Sequence, residues 1–166
     1  LGAPPVGTPS AFGLPPFGDE AAEQLATPPP LPAAPSPLVG RQGELRLLRE
    51  RLADPACRVV TLTGPGGVGK TRLALQAAHA LAPGFPGGVA WAELAAAPDV
   101  AAAARAIAEA AGCPPRGDEP PERRLLARLR DARLLLVADN LEHLPDIVPL
   151  LTAILREAPG VTLLLT

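Results

Sequence analysis

Eight consecutive residues carry the clearest chemistry in the sequence: Gly64, Pro65, Gly66, Gly67, Val68, Gly69, Lys70 and Thr71. They fit GxxxxGK[ST], a spacing in which the backbone N–H groups of a tight loop converge on phosphate oxygens. Gly66, Gly67 and Gly69 supply the unusual dihedrals and close approach that such a loop needs. The helix that follows, through Lys70, Thr71 and Arg72, points its positive dipole end and free N–H groups at the anion. Lys70 would reach the β- and γ-phosphates, and Thr71 would offer a hydroxyl to Mg²⁺. Lys70 is also the only lysine in a chain with fourteen arginines. A guanidinium is larger and differently directed, so a compact ammonium is the better fit to a phosphate nest.

A second candidate lies further along. The run "LLLVADN" is apolar and ends in Asp139, whose carboxylate would hold Mg²⁺ through water beside Thr71. A strand-ending Asp that merely caps the next helix is the plainer alternative. Many nucleotide hydrolases place a glutamate directly after this aspartate, but here the position is Asn140, which cannot accept a proton. Glu142 is a candidate for orienting water, against a solvated or helix-capping role. His143 is a weaker catalytic candidate, against a packed or capping histidine, and His79 reads as structural.

These groups need a scaffold that alternates strand and helix. "CRVVTLTG" reads as a first strand, buried on both faces, followed by a helix from Lys70 with Leu73, Ala77 and Leu81 on one face, ended by Pro83-Gly84. "GVAWAEL", "RLLLVADN" and "VTLLLT" read as three further strands. "PDVAAAARAIAEAAG", "PERRLLARLRD" and "LPDIVPLLTAILREA" read as helices between them, the second burying Leu125, Leu126 and Leu129. "RQGELRLLRERL" puts Leu45, Leu48 and Leu52 on one face of a short helix before the first strand. The expected architecture is a three-layer α/β/α domain over residues 38–166, with a mostly parallel sheet of about four strands. Residues 1–37 hold eleven of the 23 prolines and no basic residue, so they read as a disordered, Pro-rich linker.

Composition narrows the classes. Apolar residues make up 48% with only four aromatics, so Ala, Leu and Val must fill the core. A net charge of -2 offers no basic footprint for direct nucleic-acid binding. No run approaches a membrane span, and the N-terminus has no secretory-signal pattern. Cys57 and Cys113 belong to no metal or disulfide spacing and read as small buried hydrophobes in a cytoplasmic protein. The sequence opens on Leu1 and ends inside a strand-like run, so it reads as a piece of a longer chain.

The order and spacing of "LVGRQGEL", "VVTLTGPGGVGKTRLAL", "GGVAWAEL" and "LLLVADNLEHL" resemble the STAND-class P-loop ATPases with NB-ARC-like modules. The likeness is greatest to modules of bacterial LuxR-type and antibiotic-regulatory transcription factors, and it covers residues 38–166. It implies strand order 5-1-4-3-2, a helical lid domain, and sensor and effector domains elsewhere in the same longer chain. It also implies that Val39, Gly40 and Arg41 lie near the adenine and ribose, where a simple turn with a solvated arginine is the alternative. Asp139 takes the place of the family's Walker B aspartate, with Ala138 where Leu is usual. In such families a sensor residue, often arginine, follows the fourth strand, so the run ending at Thr166 would be the approach to that position.

The resemblance implies an ATP/ADP switch with Mg²⁺ and slow hydrolysis, and leaves open nucleotide-dependent self-association. A metabolic P-loop enzyme such as a small-molecule kinase is the second reading, with Arg116, Arg123 and Arg124 available for a mobile lid. A non-catalytic nucleotide-binding scaffold is the third. A Ras-like GTPase fits poorly, because the lysine of its guanine-reading motif has no counterpart once Lys70 is in the loop.

Overall fold

Among the described residues four short strands carry the apolar runs: β1 (Val59–Thr61), β2 (Val89–Glu93), β3 (Leu135–Asp139) and β4 (Thr162–Leu165). Around them, among the same residues, lie five α-helices: α1 (Gln42–Ala53), α2 (Lys70–Leu81), α3 (Val100–Ala110), α4 (Pro121–Leu129) and α5 (Val148–Glu157). The chain was analysed as a computed structural model, which describes residues 27–33, 36, 39–113 and 119–166. Leu38 and Arg116 lie outside the described residues, as does most of the Pro-rich segment.

The sheet is parallel throughout and ordered β1-β4-β3-β2. This is the expected order for the strands described. Because β4 lies between β1 and β3, the C-terminal ends of three strands converge where α2 begins. Side chains alternate across the sheet. Ala90, Ala92, Leu136, Ala138, Leu163 and Leu165 face the core shared with α3, α4 and α5. Val89, Leu135, Val137 and Leu164 face the core shared with α1 and α2. That division is the three-layer arrangement of a parallel sheet covered on both faces.

Local chemistry explains the helices. α3 is alanine-rich, which favours helix and lets its neighbours come close. Its N-cap is Asp99, whose Oδ1 accepts from Ala102 N at 2.7 Å, with Pro98 just outside. Pro121 at the start of α4 has a pre-set φ and no N–H to leave unpaired. Leu125 and Leu129, one turn apart, are fully buried, while Leu126 is only partly so. Leu48 and Leu52 of α1 are buried as their spacing predicts, with Leu45 packed at the margin. The helix read from "LPDIV" begins instead as a 3₁₀ turn, Pro145–Ile147, and becomes α-helical at Val148.

One expectation needs correction. β1 is not buried on both faces: Val59 is 41% exposed and Thr61 is also exposed. Among the described residues β1 pairs only with β4, so it is an edge, and a cleft opens over it. The few described residues of the 1–37 segment touch the domain. Leu31 packs against the core under α1 and α2, and Pro32 O accepts from His79 Nε2 at 2.8 Å. A proline-rich strand has no ladder to join, but its unpaired carbonyls remain good acceptors for side chains.

Candidate functional site

The phosphate-loop sequence spans the gap between β1 and α2. Leu62 N donates to Leu165 O at 2.8 Å, so the chain leaves β1 still tethered to β4. Gly69 is the N-cap of α2, with φ 93° and no side chain capping the helix. A β-carbon there would be strained, and the first N–H groups of α2 have no side-chain acceptor at the cap. Gly67 also has positive φ, whereas Gly66 does not, so only two of the three expected positions need glycine for its dihedrals. A β-carbon on Gly66, Gly67 or Gly69 would meet nothing within 4 Å, so the concave side of the loop is open.

Lys70 bends back over this loop. Its Nζ donates to Gly64 O at 2.7 Å and Pro65 O at 3.4 Å, and pairs with Glu142 Oε1 at 2.8 Å. The Lys70 side chain is 13% exposed, and that of Glu142 is 63% exposed. The hydrogen bond and charge of Lys70 hold the Glu142 carboxyl below its ordinary range.

Thr71 and Asp139 meet, as the Mg²⁺ reading requires: Thr71 Oγ1 donates to Asp139 Oδ1 at 3.0 Å. Asp139 is 4% exposed at the end of β3. The same oxygen also accepts from Thr166 Oγ1, and Asn140 N donates to Thr166 Oγ1 at 3.0 Å. Thr166 is a buried polar residue that pattern reading did not assign to the site. The signal was present, a hydroxyl ending an apolar strand, but its target depends on β4 lying beside β3. Asn140 turns the chain with φ 68°, a left-handed conformation that Asn tolerates better than most residues. Hydroxyl and carboxylate oxygens at this spacing form the hard donor set that suits Mg²⁺, so the residues present fit that ion.

Beside the loop, a cleft of about 460 Å³ opens between α1, β1 and the start of α2. Arg41, Leu48, Arg51, Val60 and Lys70 are among its walls. Arg41 Nη2 donates to Val68 O at 3.2 Å and Nη1 pairs with Glu44 at 3.3 Å, so its guanidinium ties α1 to the loop. Val39 is 91% exposed, and neither it nor Gly40 lines this cleft. Arg72 sends its side chain away to Ser36, donating to both O and Oγ at 3.0 Å, which leaves its backbone to the loop. His143 donates from Nε2 to Ala97 O at 2.9 Å, a packing role that matches the plainer of its two readings. Arg123 is exposed on α4 with Glu119 3.7 Å away, and Arg124 Nε donates to Cys113 Sγ at 3.2 Å; neither lines the cleft beside the glycine loop. Cys57 and Cys113 are unpaired and half-buried rather than fully buried.

Among the described residues no cluster of three or more His, Cys, Asp or Glu is poised around a metal, and no helix is long and apolar enough to cross a membrane.

The fold defines a class. The archaeal protein Cdc6p of Pyrobaculum aerophilum superposes with a TM-score of 0.61, covering 80% of this chain and 40% of that one, at 20% identity. The ORC2 protein of Aeropyrum pernix, solved as ADPNP–ADP complexes, gives 0.57 over 79% of this chain and 42% of that one, at 19% identity. The chain has the α/β fold of the P-loop NTPases. By sequence it is 39% identical over 129 residues to the uncharacterized protein Rv0894 of Mycobacterium tuberculosis. At the same 39% identity but over a shorter stretch of 114 residues it matches Rv0890c of the same organism, whose name assigns it provisionally to the HTH-type transcriptional regulators. The matched parts are 77% and 66% of this chain but only 32% and 12% of those proteins, so the chain spans a third or less of either relative. No family model matches the sequence.

Proposed function

We propose that this chain is a nucleotide-operated switch module, binding ATP or ADP with Mg²⁺ and hydrolysing ATP slowly, within a larger signalling or transcriptional regulator of the STAND type. The observation that carries the reading is the meeting of Thr71 and Asp139 at 3.0 Å, next to Lys70, which itself lines the α1–β1 cleft. The loop amides and the uncapped start of α2 would hold the phosphates, and Lys70 would sit against the β- and γ-oxygens. Thr71 and Asp139 would hold Mg²⁺, with Asp139 acting through water. Bound there, the ion would offset charge on the phosphate oxygens. The α1–β1 cleft, with Arg41 on its wall, has room for the base and ribose.

Slow turnover follows from the residue beyond Asp139. Asn140, which stands where a general base is usual, cannot accept a proton. The regulator assignment is supported by the likeness to the HTH-type relative, in which the matched segment is a minor part of the whole.

Titration calorimetry with Mg-ATP and Mg-ADP tests the reading on wild type and Lys70→Ala. Losing a charged hydrogen-bond partner of phosphate is expected to weaken binding by roughly 10- to 100-fold. Equal affinities in the two proteins would exclude a phosphate role for Lys70 and, with it, the switch. A kinase reading gains no support from Arg123 or Arg124, neither of which lines the cleft.

A further inference from the structure

We infer that Glu142 is a built-in competitor for the nucleotide's phosphate: its carboxylate occupies Lys70 when no phosphate is there and must leave when one arrives. The inference rests on the nucleotide reading of the same loop and adds a regulatory element to it.

An ammonium has three protons to donate. Gly64 O, Pro65 O and Glu142 Oε1 stand at 2.7, 3.4 and 2.8 Å from Lys70 Nζ, so each proton has an acceptor. A phosphate oxygen can join only by displacing one of them. The two carbonyls belong to the loop that would cradle the phosphate. Glu142 comes from the connection between β3 and α5, and it alone among the three carries a negative charge. A carboxylate left beside an incoming phosphate would repel it, so Glu142 is the partner that must go.

The surroundings favour a swing of the side chain over a rearrangement of the backbone. Leu141 N donates to Thr166 O at 3.1 Å, Leu144 N to Leu141 O at 3.0 Å, and His143 to Ala97 O at 2.9 Å. These bonds pin the connection on both sides of residue 142. The Glu142 side chain itself is 63% exposed, so water can take over its solvation when it leaves. Lys70 is therefore kept ordered and neutralised by Glu142 before phosphate arrives, and phosphate binds against a competitor whose strength is set by one carboxylate.

Lys70 is the sole lysine of these 166 residues, which makes this measurable in a protein of that span. Protein labelled with ¹⁵N/¹³C only at lysine gives a single side-chain signal, from Lys70. Without nucleotide, Glu142→Gln is expected to move that signal, and saturating Mg-ADP is expected to bring wild type and variant to a common position. ADP, which needs no hydrolysis step, is expected to bind Glu142→Gln about two- to threefold more tightly than wild type, as befits loss of an exposed pair. In a Lys70→Ala background the same substitution is expected to change nothing, because the coupling needs both partners. Identical lysine signals in the nucleotide-free proteins would overturn the pairing. A shifted signal with equal or weaker ADP binding would overturn the competition. Absence of ADP binding to either protein would overturn the nucleotide reading, and the competition with it, while the lysine signal would still report the ion pair.

Discussion

On one face of the sheet, Leu136, Ala138, Leu163 and Leu165 lie beneath α3, α4 and α5 in a continuous apolar core that also takes in Ile107, Leu125, Leu129 and Ile154. On the other face α1 and α2 cover a smaller cluster around Leu48, Leu52, Leu73 and Val137. Cover over β1 is thin there, with the cleft of about 460 Å³ between α1 and β1 reaching Val60, while the exposed Val59 and Thr61 share the face of Leu163 and Leu165 at the open edge of the sheet. The buried polar side chains among the described residues, Asp139 and Thr166, lie together at the C-terminal end of the sheet, hydrogen-bonded to each other and, through Asp139, to Thr71 at the start of α2. The difference separates two tasks. The dense face holds the strands in register, and the thin face leaves room for a ligand at the strand ends, as parallel α/β sheets commonly do.

The comparison can be broken first by removing volume from each face. Leu136→Ala, at a position with no exposed surface in the dense core, should lower unfolding free energy by about 3–5 kcal/mol. Leu48→Ala, at the edge of the thin cluster, should cost about 2–3 kcal/mol, because its neighbours border open space and can settle. Urea unfolding of both variants gives the ranking directly. A Leu48→Ala loss equal to or above that of Leu136→Ala would mean that the two faces are equally packed.

This asymmetry was only partly legible in the sequence. The strand and helix alternation was readable because Leu, Val and Ala recur at positions that either run continuously or repeat every third and fourth residue. The glycine loop and Lys70 were readable because their chemistry is local to eight residues. The Asp139–Thr71 contact was readable as an expectation because it follows from the order of one strand after the loop. Thr166 on Asp139, Glu142 on Lys70 and Arg41 on Val68 were not, since each joins segments whose distance is set by strand order and loop path. The exposure of β1 escaped for a related reason. "RVVTL" has the composition of a buried strand, but burial depends on what lies beside it, and that is not written in the strand.

Arg58 offers a sharper cut, because it crosses from β1 to the dense face. Its Nε donates to Val161 O at 2.8 Å and its Nη2 to Ala158 O at 2.7 Å, capping the C-terminal end of α5 with positive charge. Arg58→Ala strands those carbonyls and removes a link between the edge strand and the helix layer. An expected loss of about 1.5–3 kcal/mol follows from part-buried hydrogen bonds to a charged donor. Hydrogen exchange should show β1 amides losing protection more than those of β3. Uniform loss across the sheet would show that Arg58 serves the whole domain rather than the edge.

The smallest effect concerns charge, and it too should be confined to the thin side. Lys70 holds the Glu142 carboxyl below its ordinary range through a hydrogen bond and its positive charge. A carboxyl with a depressed folded-state pKa stabilises the fold when pH is above the unfolded-state value, and that contribution is lost as pH falls through the depressed one. Wild type should therefore be slightly more stable than Glu142→Gln near neutral pH, and the difference should vanish on acidification through the carboxylate range. The pair is solvent-exposed on the glutamate side, so added salt should shrink the difference as well. Matched urea titrations of the two proteins across that range isolate this contribution, since every other acid titrates in both. A stability difference that persisted below the carboxylate range would assign the Glu142 effect to packing of the β3–α5 connection and not to its charge on Lys70.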